Sequence, residues 1–449
     1  MNEKIFLFGA GKMAEGYTDF LEYLQIKIEG YLDNDNSRWD TYFRGRKIYS
    51  PDILKNIQNV VILIACADKE GITYQLSRMA MQEKIISINQ IIKKGIESIG
   101  KREIYQRYSC DESDRTKTVI VDNFNGAWGG AEDWAHKVAE ALMRRGYQVV
   151  LIENDNSKTI KEIIGILLEM RPFILLNIWC SELLWSAAYI KRIYPKDVKV
   201  ITAVLNDHDS LYQNLYEWDC FIDSYLCISK KIVYRMKSQY GIKKGKLSYK
   251  EPFIENRRES RRHFSVNYGM PLKIGYPCRL EKFQKRADLV PVLLEDLEKK
   301  GINYQLSIVG DGPCKSEIVK YVDDRCLHKK VKIYGKMTRL ELIEFLYDQD
   351  IYLNFSEFEG TSLTMLEAMA SGCVPVVTNV SGVEDFIINR VNGMISDVGD
   401  MESLTDHILI FDKNRELLEE YGQKCIEVVS NKCNFDDYIG YIEKNLHME

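Results

Sequence analysis

Short apolar runs of strand length recur along this chain, separated by stretches whose apolar residues return every three or four positions. A run of four to eight β-branched and aromatic residues suits a strand buried on both faces, and the three-to-four spacing marks a helix with one apolar face. Their alternation predicts an α/β fold built on parallel sheets. It occurs in three blocks. The first opens with a strand at Lys4 to Phe8, then a glycine turn and a helix to about Leu24; further strands end at Leu32 and span Asn59 to Ala65. The second opens with strand Thr118 to Asp122, a glycine-rich loop and a helix from Ala131 to Arg145. Its later strands fall at Gln148–Ile152, Phe173–Asn177, Val198–Ala203 and Tyr225–Ile228. The third has strands at Leu272–Gly275, Gln305–Val309, Val331–Tyr334, Ile351–Asn354 and Val374–Thr378.

Between the first two blocks, residues 101–116 are charged and poorly periodic, as in a linker. The division expected is therefore an accessory Rossmann-like domain at 1–100, the linker, a doubly wound domain at 117–262 and a second at 263–430. Residues 431–449 form a C-terminal helix returning to the 117–262 domain. Two doubly wound domains in tandem turn their strand C-termini, and so their loops, toward a shared crevice.

Charge narrows the function classes. The 61 basic and 66 acidic residues give a formal net charge of −5, which offers no support for nucleic-acid binding. No apolar stretch approaches the ~18 residues that span a membrane, and the run Ile5 to Ala10 is too short for a signal peptide. The eleven cysteines are scattered without a C-x-x-C pair, as expected of reduced thiols in a cytoplasmic protein.

Chemistry concentrates in the third block. Glu359-Gly-Thr-Ser-Leu-Thr-Met-Leu-Glu367 follows the strand Ile351–Asn354 and opens a helix. The main-chain N–H groups from Gly360 to Leu363 lie where a helix begins, a position that holds a diphosphate without a metal. Glu367, about one turn in, is placed to accept from two ribose hydroxyls, and Glu359 to reach a sugar. Arg279 and Lys285 stand six apart after the block's first strand, where two cations can clamp both phosphates and neutralise a departing diphosphate. Taken singly, each of these residues also suits an ordinary polar loop.

Together these motifs resemble those of the retaining, GT-B-fold glycosyltransferases of family 4, over about residues 117–449. The matching strings run in family order: Gly129-Gly130-Ala131-Glu132, the Arg279/Lys285 pair, Val309-Gly310-Asp311-Gly312-Pro313, Val331 to Met337, the Glu359/Glu367 motif, Ser371-Gly372-Cys-Val-Pro375-Val376 and Asn392-Gly393. The resemblance implies a nucleotide-sugar donor, most simply a UDP-sugar, and a glycan, lipid-linked or protein acceptor, with no cofactor or metal. It assigns Arg279 and Lys285 to the diphosphate, Glu359 to the sugar, Glu367 to the ribose and the amides of Leu363 and Thr364 to the phosphates. Lys336 and Met337 would meet the base, with Gly310, Gly360, Thr361 and Ser362 lining the donor pocket and Gly129/Gly130 allowing the opposite loop to approach. The family often has Phe or Tyr and then Gly where Thr361 and Ser362 stand, which leaves the shape of the sugar pocket open. His208, in Leu205-Asn-Asp-His-Asp209, ends a strand where the family often has a histidine contacting the sugar; Asp207 and Asp209 suit a solvated turn.

Other signals lie outside that match. Gly9-Ala-Gly11-Lys-Met-Ala-Glu-Gly16 follows a strand, and Asp33 closes the next one, as a nucleotide fingerprint would require. The block resembles short Rossmann-like modules fused to sugar-modifying transferases. Asp33-Asn34-Asp35 imitates a metal-holding D-x-D but lies far from every donor motif, and Tyr23/Lys27 form an accidental Y-x-x-x-K. From Leu226 to Arg262, twelve Lys/Arg face three Glu. That stretch suits solvated helix faces and a linker, or a patch docking on anionic lipid at the inner face of the membrane. Three readings compete: an active transferase, a bifunctional protein whose first block does NAD-dependent sugar chemistry, and a silent partner of another transferase. The first has the most support. On it, a chain starting near residue 112 should keep its donor chemistry.

Overall fold

The computed structural model describes residues 3–99, 118–123, 130–153, 158–178, 182–254 and 269–446. The expected linker, Gly129 and the expected boundary at 262 lie outside these residues.

Among the described residues there are three sheets. The first holds β1 (Lys4–Phe8), β2 (Ile28–Leu32), β3 (Tyr42–Phe43), β4 (Arg46–Tyr49) and β5 (Val60–Ile64) in the order β3-β4-β2-β1-β5. Only β3 runs antiparallel, against β4. Arg44 and Gly45, both at positive φ (48° and 74°), make the two-residue turn between them, the backbone a tight hairpin requires. The second sheet holds β6 (Thr118–Asn123), β7 (Gln148–Glu153), β8 (Phe173–Asn177), β9 (Val198–Val204), β10 (Ser224–Cys227) and β11 (Leu247–Tyr249), ordered β11-β10-β9-β8-β6-β7. The third holds β12 (Leu272–Pro277), β13 (Tyr304–Val309), β14 (Val331–Tyr334), β15 (Ile351–Asn354), β16 (Val374–Thr378) and β17 (Met394–Ser396), ordered β14-β13-β12-β15-β16-β17 and parallel throughout.

The chain divides into two compact units, one of residues 1–202, 213–225 and 446–449, the other of 203–212 and 226–445. In the first, the N-terminal block is packed against residues of the 117–262 segment. The ring of Trp185, on the helix Glu182–Ile193, lies 5.8 Å from Tyr17 and 5.6 Å from Phe20, both on the helix Lys12–Tyr23. Tyr23 meets Tyr189 at 5.2 Å. Polar groups lock the same face: Trp185 Nε1 donates to Asn89 Oδ1 (3.2 Å), Asn89 Nδ2 donates to Asn214 Oδ1 (3.0 Å), and Ser87 Oγ donates to Glu217 Oε2 (3.0 Å). With Trp185 only 3% exposed, residues 1–99 supply part of this unit's core. Residues 1–99 thus pack as a layer against the 117–262 segment.

In the second unit, alternate residues of the third sheet (Leu272, Ile274, Tyr276, Leu306, Ile308, Ile351, Leu353) fill one core, and the helix Leu363–Ala370 packs into another through Met365, Leu366 and Met369. The C-terminal helix Phe435–Leu446 meets residues of the 117–262 segment: Phe435 and Tyr438 pack on Phe253, and the Tyr441 hydroxyl lies 2.6 Å from Ser248 Oγ.

Candidate active site

In the third sheet the chain moves outward from β12 through β13 to β14, then returns to β15 on the other side. The strand order reverses between β12 and β15, and the loops after these two strands lie at the position where open parallel sheets bind ligands. Those two loops carry Arg279, Lys285 and Glu359. The loop after β13 crosses close by. Gly310 has φ 138°, and a Cβ there would sit 1.9 Å from the Cys278 carbonyl oxygen, so no other residue fits.

The loop after β12 has a fixed shape. The Glu281 carboxylate accepts from the backbone N–H groups of Phe283 (2.7 Å), Gln284 (3.0 Å) and Lys285 (2.8 Å), and the Tyr276 hydroxyl donates to the Lys285 carbonyl (2.9 Å). The two loops are then tied together. Glu357 N donates to the Gln284 carbonyl (2.8 Å), and Arg286 pairs with Glu357 (2.5 Å). Lys285 and Glu359 form an ion pair. Glu359, 6% exposed, also accepts from Ser356 Oγ (2.8 Å) and from Gln284 Nε2 (3.2 Å). Arg279 is exposed, and its Nη2 donates to Gln284 Oε1 (2.9 Å). Three of the four charged residues singled out in the sequence thus form one hydrogen-bonded chain, running Arg279, Gln284, Glu359, Lys285.

Glu367 lies one turn into the helix Leu363–Ala370, 7% exposed, its Oε1 paired with Arg339 Nη2 at 2.6 Å. Ser362 caps this helix by accepting from Met365 N (3.2 Å), which leaves the first N–H groups, those of Leu363 and Thr364, without an intrahelical acceptor. Thr361 is buried, and its hydroxyl donates to the Ile228 carbonyl (2.8 Å). Both hydroxyls that stand where the family has other residues are therefore engaged with main chain. Gly360 is confined as well, because a Cβ would come 2.2 Å from the Leu205 carbonyl oxygen.

His208 belongs to the same unit and stands against both loops, its ring 5.5 Å from Phe283 and 4.8 Å from Phe358. Its Nδ1 accepts from Ser210 N (3.3 Å) and faces Ser210 Oγ (2.7 Å), which assigns the imidazole proton to Nε2. The solvated-turn reading of its neighbours needs correction at Asp207. This carboxylate is 6% exposed, takes Arg235 Nη1 at 2.5 Å and the Tyr212 hydroxyl at 2.7 Å, and Arg235 pairs with Asp209 too. Arg235 is thereby withdrawn from the basic stretch 226–262, and the Lys230 backbone N–H donates to Asp385 (3.0 Å). Lys231, Lys237, Lys243 and Lys244 remain exposed.

Elsewhere, Gly310 N donates to the Gly335 carbonyl (3.2 Å), placing exposed Lys336 and half-buried Met337 beside the β13 loop. Gly130 begins the helix Gly130–Arg144 of the first unit. In the first block, Gly9 (φ 105°) is pressed against β5, its Cβ position 2.7 Å from the Ala65 carbonyl oxygen, and Gly11 precedes the helix Lys12–Tyr23. Asp33 is occupied: Arg38 donates to its Oδ2 (2.9 Å) and to the Ala10 carbonyl (2.7 Å), and Asp35 N donates to its Oδ1 (3.0 Å). Arg38 thus spans the place expected for a ribose. Among the described residues no three His, Cys, Asp or Glu side chains are grouped as metal ligands, and no helix is long and apolar enough to cross a membrane.

Gln284, Ser356, Arg339 and Arg235 were not anticipated. Gln284 lies inside the Arg279–Lys285 string, but its partner Glu359 is 75 positions away. Arg339 follows Met337 closely, yet nothing local couples it to Glu367.

Residues 258–428 match the family model described as glycosyl transferases group 1, and residues 1–87 match one described as C2185-like, N-terminal. A Staphylococcus aureus poly(ribitol-phosphate) alpha-N-acetylglucosaminyltransferase is 31% identical over 149 residues, covering 33% of this chain and 30% of that protein. The Bacillus anthracis N-acetyl-alpha-D-glucosaminyl L-malate synthase is 29% identical over 142 residues, covering 32% and 37%. The chain thus spans about a third of the length of these relatives. A solved structure of an S. aureus TarM variant with Fondaparinux, alpha-GlcNAc-glycerol and UDP aligns over 99% of both chains, with a TM-score of 0.55 and 14% identity. Residues 258–428, which include the loops after β12 and β15, thus match the glycosyl transferases group 1 model, within a chain that shares the fold of the solved TarM structure.

Proposed function

We propose that this protein is a retaining glycosyltransferase of family 4 type that moves a hexosyl group from a nucleotide diphosphate to a glycan, lipid-linked or protein acceptor, without a metal or cofactor. The observation that carries the reading is the chain Arg279–Gln284–Glu359–Lys285 at the reversal of strand order, beside the start of the helix Leu363–Ala370. Arg279, Lys285 and the amides of Leu363 and Thr364 would take the diphosphate, and Glu367 the ribose. Charge grows on the β-phosphate as the sugar C1–O bond breaks, and fixed cations and helix-end amides stabilise it there. Glu359 and the Nε2–H of His208 would orient the sugar. The acceptor oxygen attacks from the face the leaving group vacates and passes its proton to a β-phosphate oxygen, so the anomeric configuration is kept. UDP-N-acetylglucosamine is the first donor to try, since both relatives above are named for N-acetylglucosaminyl chemistry and the TarM structure holds UDP. The first block takes no part in the chemistry in this reading.

The test is a panel of nucleotide sugars incubated with the protein in EDTA, with released nucleoside diphosphate measured and the freed or transferred sugar followed by NMR. Release in EDTA with an α-anomer from an α-donor is expected. Activity that needs added manganese, or a β-product, would refute the metal-free retaining mechanism.

A further inference from the structure

We propose that Gln284 is a positioning residue that couples the diphosphate cation Arg279 to the sugar-side carboxylate Glu359; this rests on the donor-site reading above. The amide is used at both ends. Its Oε1 accepts from Arg279 Nη2 at 2.9 Å, while its Nε2 donates to Glu359 Oε2 (3.2 Å) and to the Phe358 carbonyl (3.2 Å). Its own carbonyl accepts from Glu357 N at 2.8 Å. One half-buried side chain thus links Arg279 to Glu359, beside the Lys285–Glu359 and Arg286–Glu357 pairs that also join the β12 and β15 loops.

A neutral amide suits that position because it offers an acceptor and a donor on one planar group. A Lys or Arg would repel Arg279, and an Asp or Glu would face Glu359 with a second carboxylate. Glu359 needs this partner. Lys285 and Ser356 both approach Oε1, and Gln284 supplies the donor at Oε2. Removing the amide frees the carboxylate to turn about its terminal torsion, which has no strong rotameric preference. Arg279, exposed and long, loses at the same time the contact that restrains its guanidinium.

A double-mutant cycle tests this, because a residue acting through another costs little once that other is gone. Gln284→Met keeps the volume and removes both polar ends, and Gln284→Asn keeps an amide drawn back by one methylene. The readout is kcat/KM for hydrolysis of the nucleotide sugar that the wild type turns over. In the wild-type background each substitution is expected to lower it at least tenfold, and in a Glu359→Ala background by no more than threefold. Lys282→Ala, exposed on the same loop, should change neither. Equal losses in both backgrounds would mean a general effect on folding and would overturn the proposal, as would wild-type rates in both variants. A wild-type protein that neither binds UDP, GDP, ADP or dTDP nor hydrolyses their sugar forms would instead overturn the donor-site reading, and this inference with it.

Discussion

Lys285 and Glu359 neutralise each other while Ser356 and Gln284 hold the carboxylate. A diphosphate arriving at Lys285 therefore competes with Glu359 for the ammonium. Glu359→Ala removes that rival and also removes the proposed sugar contact. Turnover should fall roughly ten- to a hundredfold, the weight of a hydrogen bond to a charged group, while affinity for the nucleoside diphosphate holds or improves. Initial rates and calorimetry on one preparation check this; a loss of nucleotide affinity matching the loss of rate would place Glu359 on the phosphates. Near His208 the electrostatics serve stability. Asp207 is buried, and Arg235 is the cation it relies on. Arg235→Met would leave that charge uncompensated, at a cost of about 3–5 kcal/mol. Urea denaturation should show it, with Lys237→Met, exposed on the helix Lys230–Ser238 that also carries Arg235, within about 0.5 kcal/mol of wild type.

Element by element, the structure was most legible where strands are buried on both faces. Ile351–Asn354 and Val374–Thr378, buried throughout, fall where their apolar runs predict, because such runs have no other comfortable setting. The hairpin Tyr42–Phe43/Arg46–Tyr49 was missed: its first strand has two residues, too few for a periodic signal, and its turn places Arg44 in a left-handed conformation that Arg rarely adopts. The docking of the first block was also missed, since Asn89 and Trp185 stand 96 positions apart and neither residue type marks its partner. Their spacing in the sequence singled out Arg279, Lys285 and Glu359, which the structure brings together, whereas the contacts of Gln284 and Arg339 arise only on folding. The docking alters the expectation for truncation. A chain beginning at residue 118 would uncover Trp185, Tyr189 and the polar partners of Asn89 and Ser87. It should aggregate or melt at least ~10 °C below the full chain, and Trp185→Ala in the full chain should cost about 3–5 kcal/mol. A truncated chain that stays monomeric with an unchanged melting temperature would show the packing to be dispensable.

At the scale of the whole molecule, the two units contribute unequally to the proposed chemistry. Residues 203–212 and 226–445 contain Arg279, Lys285, Glu359, Glu367 and His208 together, so donor binding should be a property of that unit's loops. In the N-terminal sheet of the first unit, the acidic residue expected to meet a ribose, Asp33, is already held by Arg38. One nucleotide site per chain is therefore expected. Titration calorimetry with UDP, on the wild type, Lys285→Ala and Glu367→Ala, tests this account most directly. It predicts one UDP per chain in the wild type and at least tenfold weaker binding in each variant. Wild-type affinity retained by both variants would contradict it.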